Sequence, residues 1–324
     1  MATKITNLNR MLALEMGRVT ERAAVRSSLW VGRGDEKSAD QAAVDAMRKE
    51  LNVLDIDGVV VIGEGERDEA PMLYIGEKVG TGKGPKVDIA LDPLEGTTLT
   101  AKAMPNAMAV LAAAEGGTLL NAPDTYMDKI AIGGGFPDGL VDLDATPAEN
   151  IKALAKAKKI EVSAITACIL DRPRHAELIR AVRETGARVT LITDGDIAGV
   201  IATTDPATGV DIYMGVGGAP EGVLAAAALR CIGGQMQGRL VTSVEEQKVR
   251  AAKMGVKDFN KKFTMNEMAS GDVIFAATGV TDGWLLDGVH HVNGGVTTHT
   301  IVMRSATGTV RRLNSFHSNI EKFS

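Results

Sequence analysis

Cysteine is scarce: Cys168 and Cys231 are the two in a chain of 324 residues. Neither has a Cys or His neighbour at zinc-ligand spacing, so a disulfide scaffold and a structural zinc site are both unsupported. Buried free thiols in a reducing compartment are the expectation. Aromatic residues make up 3% of the chain, too few for a platform that stacks single-stranded bases. Charge of one sign does not dominate either, with 36 basic against 41 acidic residues, a net charge of -5 and no long Lys/Arg run. A surface that coats nucleic acid is therefore not expected. No stretch approaches the ~20 apolar residues that a bilayer demands, and Met1 to Arg10 lacks the apolar core of a secretory signal. A cytoplasmic protein without a membrane partner is expected.

Several catalytic motifs are missing too. Gly80-Thr81-Gly82-Lys83-Gly84 lacks the Ser/Thr and the earlier Gly of a P-loop, and Gly215-Val216-Gly217-Gly218-Ala219-Pro220 breaks the dinucleotide fingerprint with its Pro. The five histidines form no H-E-x-x-H pair, and no G-x-S-x-G elbow occurs. ATP, NAD, zinc protease and serine hydrolase chemistry are thereby demoted.

What is present is an ordinary globular composition, 45% hydrophobic and 24% charged, with 36 glycines for tight turns and close ligand approach. The length suits two domains, and the boundary is placed between 145 and 160. Residues 1-150 then form a metal- and phosphate-binding lobe and residues 151-324 a substrate-binding α/β lobe. Apolar spacing predicts a first amphipathic helix from Asn7 to about Val25 and a second opened by a capping box at Ser38-Ala39-Asp40-Gln41. Val59-Val60-Val61-Ile62 reads as a buried strand, and so does Val87 to Leu91. The alanine-rich segment from Asn106 to Gly116 fits helix or strand. Beyond it, helices Pro147-Lys159 and Pro173-Thr185 alternate with strands Ile165-Leu170, Arg188-Thr193 and Val210-Met214. That alternation implies parallel strands with right-handed crossovers. A helix from Glu221 to about Cys231, another over 243–254 and short strands from Asp272 to Leu313 complete the chain.

Two of the strands end in acids. Pro93 biases Asp92 toward an extended conformation, so the strand is expected to run up to that carboxylate and stop. Glu95 then returns on a turn, and the pair can converge on one hard cation of the Mg²⁺ or Mn²⁺ type. Thr97 and Thr98 follow at a new helical turn, where free backbone N–H groups accept phosphate. Glu64, Glu66, Asp68 and Glu69 place four carboxylates within six residues at the other strand end. Such density is costly unless solvent or metal neutralises it. An ordinary Asp-Pro turn and a solvated acidic loop explain either segment alone; together they favour a cation. Asp40, in the first turn of its helix, and Glu221, after Pro220, are further candidates whose positions helix-start chemistry also explains. Arg172 and Arg174, flanking Pro173, suit a phosphate clamp, and Asp194-Gly195-Asp196 suits either sugar hydroxyls or a helix cap.

These residues carry a resemblance. Asp92-Pro93-Leu94-Glu95-Gly96-Thr97, preceded by Gly63-Glu64-Gly65-Glu66, resembles the metal-dependent, lithium-sensitive phosphatase superfamily. Trp30 through Asp35, Glu69 through Tyr74, Gly217 through Gly222 and Ala276-Ala277-Thr278-Gly279 narrow it, and the chain is similar to the bacterial class II fructose-1,6-bisphosphatases over almost its whole length. The resemblance implies an α/β layered sandwich of alternating helices and sheets. It also implies hydrolysis of the 1-phosphate of fructose 1,6-bisphosphate in gluconeogenesis. Asp40, Glu64, Asp92, Glu95 and Glu221 would hold Mg²⁺ or Mn²⁺. Glu95, Gly96, Thr97, Tyr126, Arg172, Pro173, Arg174, Asp194, Gly195, Asp196 and Gly218 would line the substrate site. A homo-oligomer, dimer or tetramer, is the expected assembly.

Within that reading Thr97 supplies the reacting or nucleophile-positioning hydroxyl, with Glu66 or Asp68 as base; attack by a metal-bound water stays open. Sedoheptulose 1,7-bisphosphate is the nearest rival substrate. Inositol monophosphate is more distant, because Arg172 and Arg174 suggest a second phosphate. A non-catalytic sugar-phosphate sensor is the rival from another class.

Overall fold

The structure is a computed structural model that describes residues 8, 10–65, 72–242 and 245–324. By their contacts the residues fall into two units, Met1–Leu120 with Ala269–Ser324, and Asn121–Met268. This division is discontinuous, unlike the one near residue 150 expected from the sequence. Chain order cannot reveal that the last segment pairs back onto strands laid down far earlier.

In chain order the first unit begins with α1 (Leu12–Ser28), α2 (Glu36–Leu51), β1 (Asp57–Ile62), β2 (Lys78–Val79), β3 (Lys86–Glu95), α3 (Thr97–Ala101) and β4 (Met108–Glu115). The second unit comes next with β5 (Tyr126–Gly133), α4 (Pro147–Lys158), β6 (Thr166–Leu170), α5 (Ala176–Glu184), β7 (Arg188–Ile192) and α6 (Asp196–Ala202). It continues through β8 (Ile212–Gly218), α7 (Ala219–Ile232), β9 (Gly234–Val241), α8 (Glu245–Lys253), β10 (Phe263–Thr264) and α9 (Met265–Met268). The chain then returns to the first unit with β11 (Val273–Gly279), β12 (His290–Val292), β13 (Gly295–Arg304) and β14 (Thr309–His317). The α/β class expected from the sequence is the one observed. Among the described residues no helix is long and apolar enough to cross a membrane.

The first unit's sheet runs β12-β13-β11-β4-β3-β1-β2, with β14 also on β13. β1 and β3 are parallel and the other pairings antiparallel. β4 lies at its centre, buried along nearly its whole length. Alanine prefers helix by intrinsic propensity, but pairing with β3 and β11 and burial on both faces override that preference. Met16, Val19 and Ala23 of α1 and Ala43 and Met47 of α2 share one core with Ile89, Leu91, Leu111, Ala113 and Val302 of the sheet.

α2 starts earlier than its sequence suggests. Asp35 is the N-cap, accepting from the Ser38 amide at 3.0 Å and the Ser38 hydroxyl at 2.7 Å, so the capping box expected at Ser38-Gln41 does not form. Asp is as good a cap as Ser, and the preceding turn is held in place by the Gly32 and Gly34 amides on the Thr100 and Ala101 carbonyls of α3. Asp40 therefore lies beyond the first turn, outside the strongest pull of the helix dipole.

The second unit's sheet runs β10-β9-β5-β8-β6-β7, with β7, β6 and β8 parallel. Ile130, Ile132, Ala167 and Ile169 pack with Ile151, Leu154 and Val182 of α4 and α5. Side chains alternate across a strand, so Lys129 and Cys168 point to the opposite face. α6 covers that face, where Gly199 lies close to Cys168 and Tyr213. Both cysteines are buried free thiols, and burial pushes the Cys168 thiol up to about 12. β8 runs through Gly218 and passes directly into α7, where the sequence suggested a glycine-rich turn after Met214. The reason is pairing: β5 lies against β8 as far as Tyr126 opposite Gly218.

Candidate active site

β3 does not stop at Asp92. It continues through Pro93 and Leu94 to Glu95, with Asp92 opposite Val110 and Glu95 opposite Met108. Three steps on β3 against two on β4 make a β-bulge, which accommodates a proline that has no N–H to donate. Asp92 Oδ1 accepts from the Leu94 amide at 3.1 Å, while Glu95 is buried at the strand's end. Gly96 is next, at φ 90°, ψ 52°, as the N-cap of α3, and Thr97 is the first residue of that helix, half-buried.

The parallel register brings a second acid to the same edge. Ile62, the last residue of β1, is aligned with Ala90, and Glu64 follows in the bend just beyond that strand end. Adjacent strands lie about 4.8 Å apart. The Glu64 amide is anchored on the Leu73 carbonyl at 3.1 Å. Asp40 is half-buried on α2, which packs against both β3 and α3, and desolvation pushes its carboxyl above the usual carboxylate range. The first unit thus carries Asp40, Glu64, Asp92, Glu95, Gly96 and Thr97 on elements packed directly on one another. Glu66 and Asp68, the candidate bases, lie outside the described residues.

In the second unit Arg172, Arg174, Asp194, Asp196 and Gly218, the candidate site residues, follow or end the parallel strands β6, β7 and β8 at their carboxyl ends, where open α/β sheets bind ligands. Arg172 and Arg174 flank Pro173, the first residue of a short 3₁₀ turn after β6. The Arg174 guanidinium stacks over the exposed Tyr126 ring, 4.7 Å from its centroid, and donates to the Val216 carbonyl at 3.0 and 2.8 Å. Tyr126 in turn faces Gly218 across the β5–β8 ladder. Arg172 donates to the Asp171 carbonyl at 3.4 Å. Asp194 and Gly195 form the turn after β7, and Asp196 opens α6.

Asp196 is turned inward. Its carboxylate accepts from the buried Lys129 ammonium and from the Tyr213 hydroxyl at 3.3 Å, and Lys129 also donates to the Gly218 carbonyl at 2.9 Å. Lys129 escaped the motif reading. The available signal was a lysine, beside Asp128, leading into the apolar run Ile130-Ala131-Ile132, since a buried ammonium must find an acid.

Among the described residues no three His, Cys, Asp or Glu side chains are gathered closely enough to hold a metal ion as they stand. The donor chemistry nevertheless suits a hard divalent cation, because every candidate ligand is a carboxylate. Glu221 makes the point physically: its Oε2 is buried with no hydrogen-bond partner among the described residues. Burial and then nearby Asp196 push its carboxyl up to about 7, with Lys129 acting in the opposite sense. A carboxylate this poorly solvated gains from a cation.

Strand-end acids beside a Thr-led helix, and an arginine pair at the mouth of a parallel sheet, suit an enzyme that hydrolyses phosphoric monoesters. Comparison with known proteins narrows the class. Residues 10–317 match the family described as bacterial fructose-1,6-bisphosphatase, glpX-encoded, and the chain belongs to that family. It is 46% identical to the D-fructose 1,6-bisphosphatase class 2/sedoheptulose 1,7-bisphosphatase of Synechococcus sp. (strain JA-3-3Ab), over 96% of each chain. It is likewise 46% identical to fructose-1,6-bisphosphatase 1 class 2 of Escherichia coli (strain K12), again over 96% of each. Metal dependence is general in this family.

Proposed function

We propose that the protein hydrolyses the 1-phosphate of fructose 1,6-bisphosphate, giving fructose 6-phosphate and phosphate, as a cytoplasmic enzyme of gluconeogenesis. The observation that carries the reading is the family match across 10–317, with the Asp92–Thr97 segment folded as a strand end, bulge and helix start. Asp40, Glu64, Asp92 and Glu95 in the first unit and Glu221 in the second are the ligand candidates for Mg²⁺ or Mn²⁺. Such a cation, when bound, neutralises phosphoryl oxygens and the departing alkoxide, the demand of a loose phosphoryl-transfer transition state.

The chain's own residues do the rest. Thr97 presents its hydroxyl at the start of α3, either to attack phosphorus or to orient the attacking water, and Glu66 or Asp68 takes the proton. The α3 amides and Gly96 receive the reacting phosphoryl group. Arg174 and Arg172 hold the remote phosphate, with Arg174 pre-set by Tyr126 and Val216; Pro173, Asp194, Gly195, Asp196 and Gly218 shape the sugar pocket. A homo-oligomer, dimer or tetramer, is the proposed assembly.

Sedoheptulose 1,7-bisphosphate is a second substrate worth testing, because the Synechococcus relative carries both activities in its name and the two sugars share a ketose 1-phosphate end. The test is phosphate release from a panel of both bisphosphates and an inositol monophosphate, with chelator and then Mg²⁺ or Mn²⁺ added back. Turnover of fructose 1,6-bisphosphate that returns with metal is expected. No release under any metal would leave only a sugar-phosphate-binding role.

A further inference from the structure

Arg174 and His175 are neighbours in sequence that grip opposite ends of one peptide residue. The His175 ring is buried, 2% exposed. Its Nδ1 lies 2.7 Å from the Leu170 carbonyl, and the Val216 amide donates to its Nε2 at 2.8 Å. A carbonyl only accepts, so Nδ1 carries the proton and Nε2 is the bare acceptor; the ring is neutral and its tautomer is set by its two partners. Val216 is the residue whose carbonyl receives both Arg174 hydrogen bonds. The ring also packs so closely under β8 that a Cβ added to Gly215 would stand 3.0 Å from Nε2.

We propose that His175 is the positioning residue of the substrate clamp: by holding the Val216 amide to the end of β6 it fixes the Val216 carbonyl on which Arg174 is seated. The proposal rests on the reading of Arg174 as the ligand of the substrate's remote phosphate. Arg174 is exposed, and its guanidinium has more donors than the two spent on Val216, so it is anchored along one edge and presented along the other. An anchored guanidinium loses less freedom when a phosphate arrives. His175 touches no ligand itself. Its effect on affinity passes through Val216.

The two amide isosteres separate its two hydrogen bonds. In His175→Asn the side-chain N–H stands where Nδ1 was and keeps Leu170, but the Val216 amide loses its acceptor. In His175→Gln the carbonyl oxygen reaches the Nε2 position and keeps Val216. The expected result is a KM for fructose 1,6-bisphosphate raised about tenfold in His175→Asn with kcat within about twofold, and a KM near wild type in His175→Gln. Arg174→Ala should raise KM at least as much. In the double variant Arg174→Ala/His175→Asn the histidine change should add nothing, because residues acting through one contact are non-additive.

Full additivity, or equal KM values for the Asn and Gln variants, would overturn the role of His175. If Arg174→Ala leaves KM unchanged, the clamp reading itself fails, which is a different result from His175 failing alone. Circular dichroism and thermal midpoints of each variant separate a loosened clamp from a loosened fold.

Discussion

Two glycines sit in nearly the same conformation at corresponding places in the two units. Gly96, at φ 90° and ψ 52°, ends β3 and starts α3; Gly195, at φ 81° and ψ 53°, comes after β7 and starts α6. Only glycine adopts this region without cost, so each unit uses one device to turn sharply from a strand into a helix and bare its first amides. The first helical residue differs between them. In the first unit it is Thr97, uncharged and half-buried, next to acids that candidate cation chemistry would use. In the second it is Asp196, 5% exposed and neutralised from beneath by Lys129. One turn presents a hydroxyl and the other a carboxylate held by a buried ammonium.

Variants on either side of this comparison should separate the two uses. The largest effect is expected at the first: Asp92→Asn or Thr97→Ala should cut phosphate release by at least about 10²- to 10³-fold with the circular dichroism unchanged. Thr97→Ser retaining turnover would favour a hydroxyl role, and near-native turnover by Thr97→Ala would remove Thr97 from the mechanism. At the second site the expected loss is in stability. Lys129→Met strands a buried carboxylate and should cost about 3–5 kcal/mol in urea unfolding, most of it recovered in Lys129→Met/Asp196→Asn. A single variant as stable as wild type would show that the pair is not a structural clamp.

Smaller effects come from the glycines themselves. Gly96→Ala and Gly195→Ala should each cost about 1–2 kcal/mol for the left-handed backbone. Gly96→Ala should add strain, since its Cβ would stand 2.8 Å from Leu99 Cδ1. Of the two, Gly96→Ala should be the one that also lowers kcat.

Acid sensitivity is the smallest. Burial lowers the pKa of His175 in the second unit and of His317 in the first. Both rings take up a proton less readily in the fold than in the unfolded chain, which does so near pH 6.5. Their contribution to stability is present above that pH and lost as pH falls below it, at most about 1.4 kcal/mol per pH unit for each ring. Urea midpoints at pH 7.5 and 5.5 measure it. His175→Gln should flatten the slope, and an unchanged slope would assign the acid sensitivity elsewhere.

Much of the fold is legible in the amino-acid order. Strands β1, β3, β6 and β7 and helices α4, α5 and α7 announce themselves by apolar runs, β-branched residues and prolines at helix starts. The failures are instructive. Asp92-Pro93 reads as a strand that Pro93 keeps extended up to the carboxylate and then stops; only a partner strand reveals that a bulge carries β3 on to Glu95. Ser38 reads as a cap because nothing local shows Gly32 and Gly34 tied to α3, which leaves the capping to Asp35. Gly217 and Gly218 read as a turn because their pairing with β5 is remote in sequence.

The family and the acids, hydroxyl and arginines of the candidate site follow from sequence, because short motifs specify both backbone turns and side-chain chemistry. Tertiary structure alone decided where the charges are balanced. Lys129 finds Asp196 across 67 residues, and His175 finds Val216 across 41. Neither partner is specified by local spacing, since each depends on which strands pair and on which face each side chain emerges.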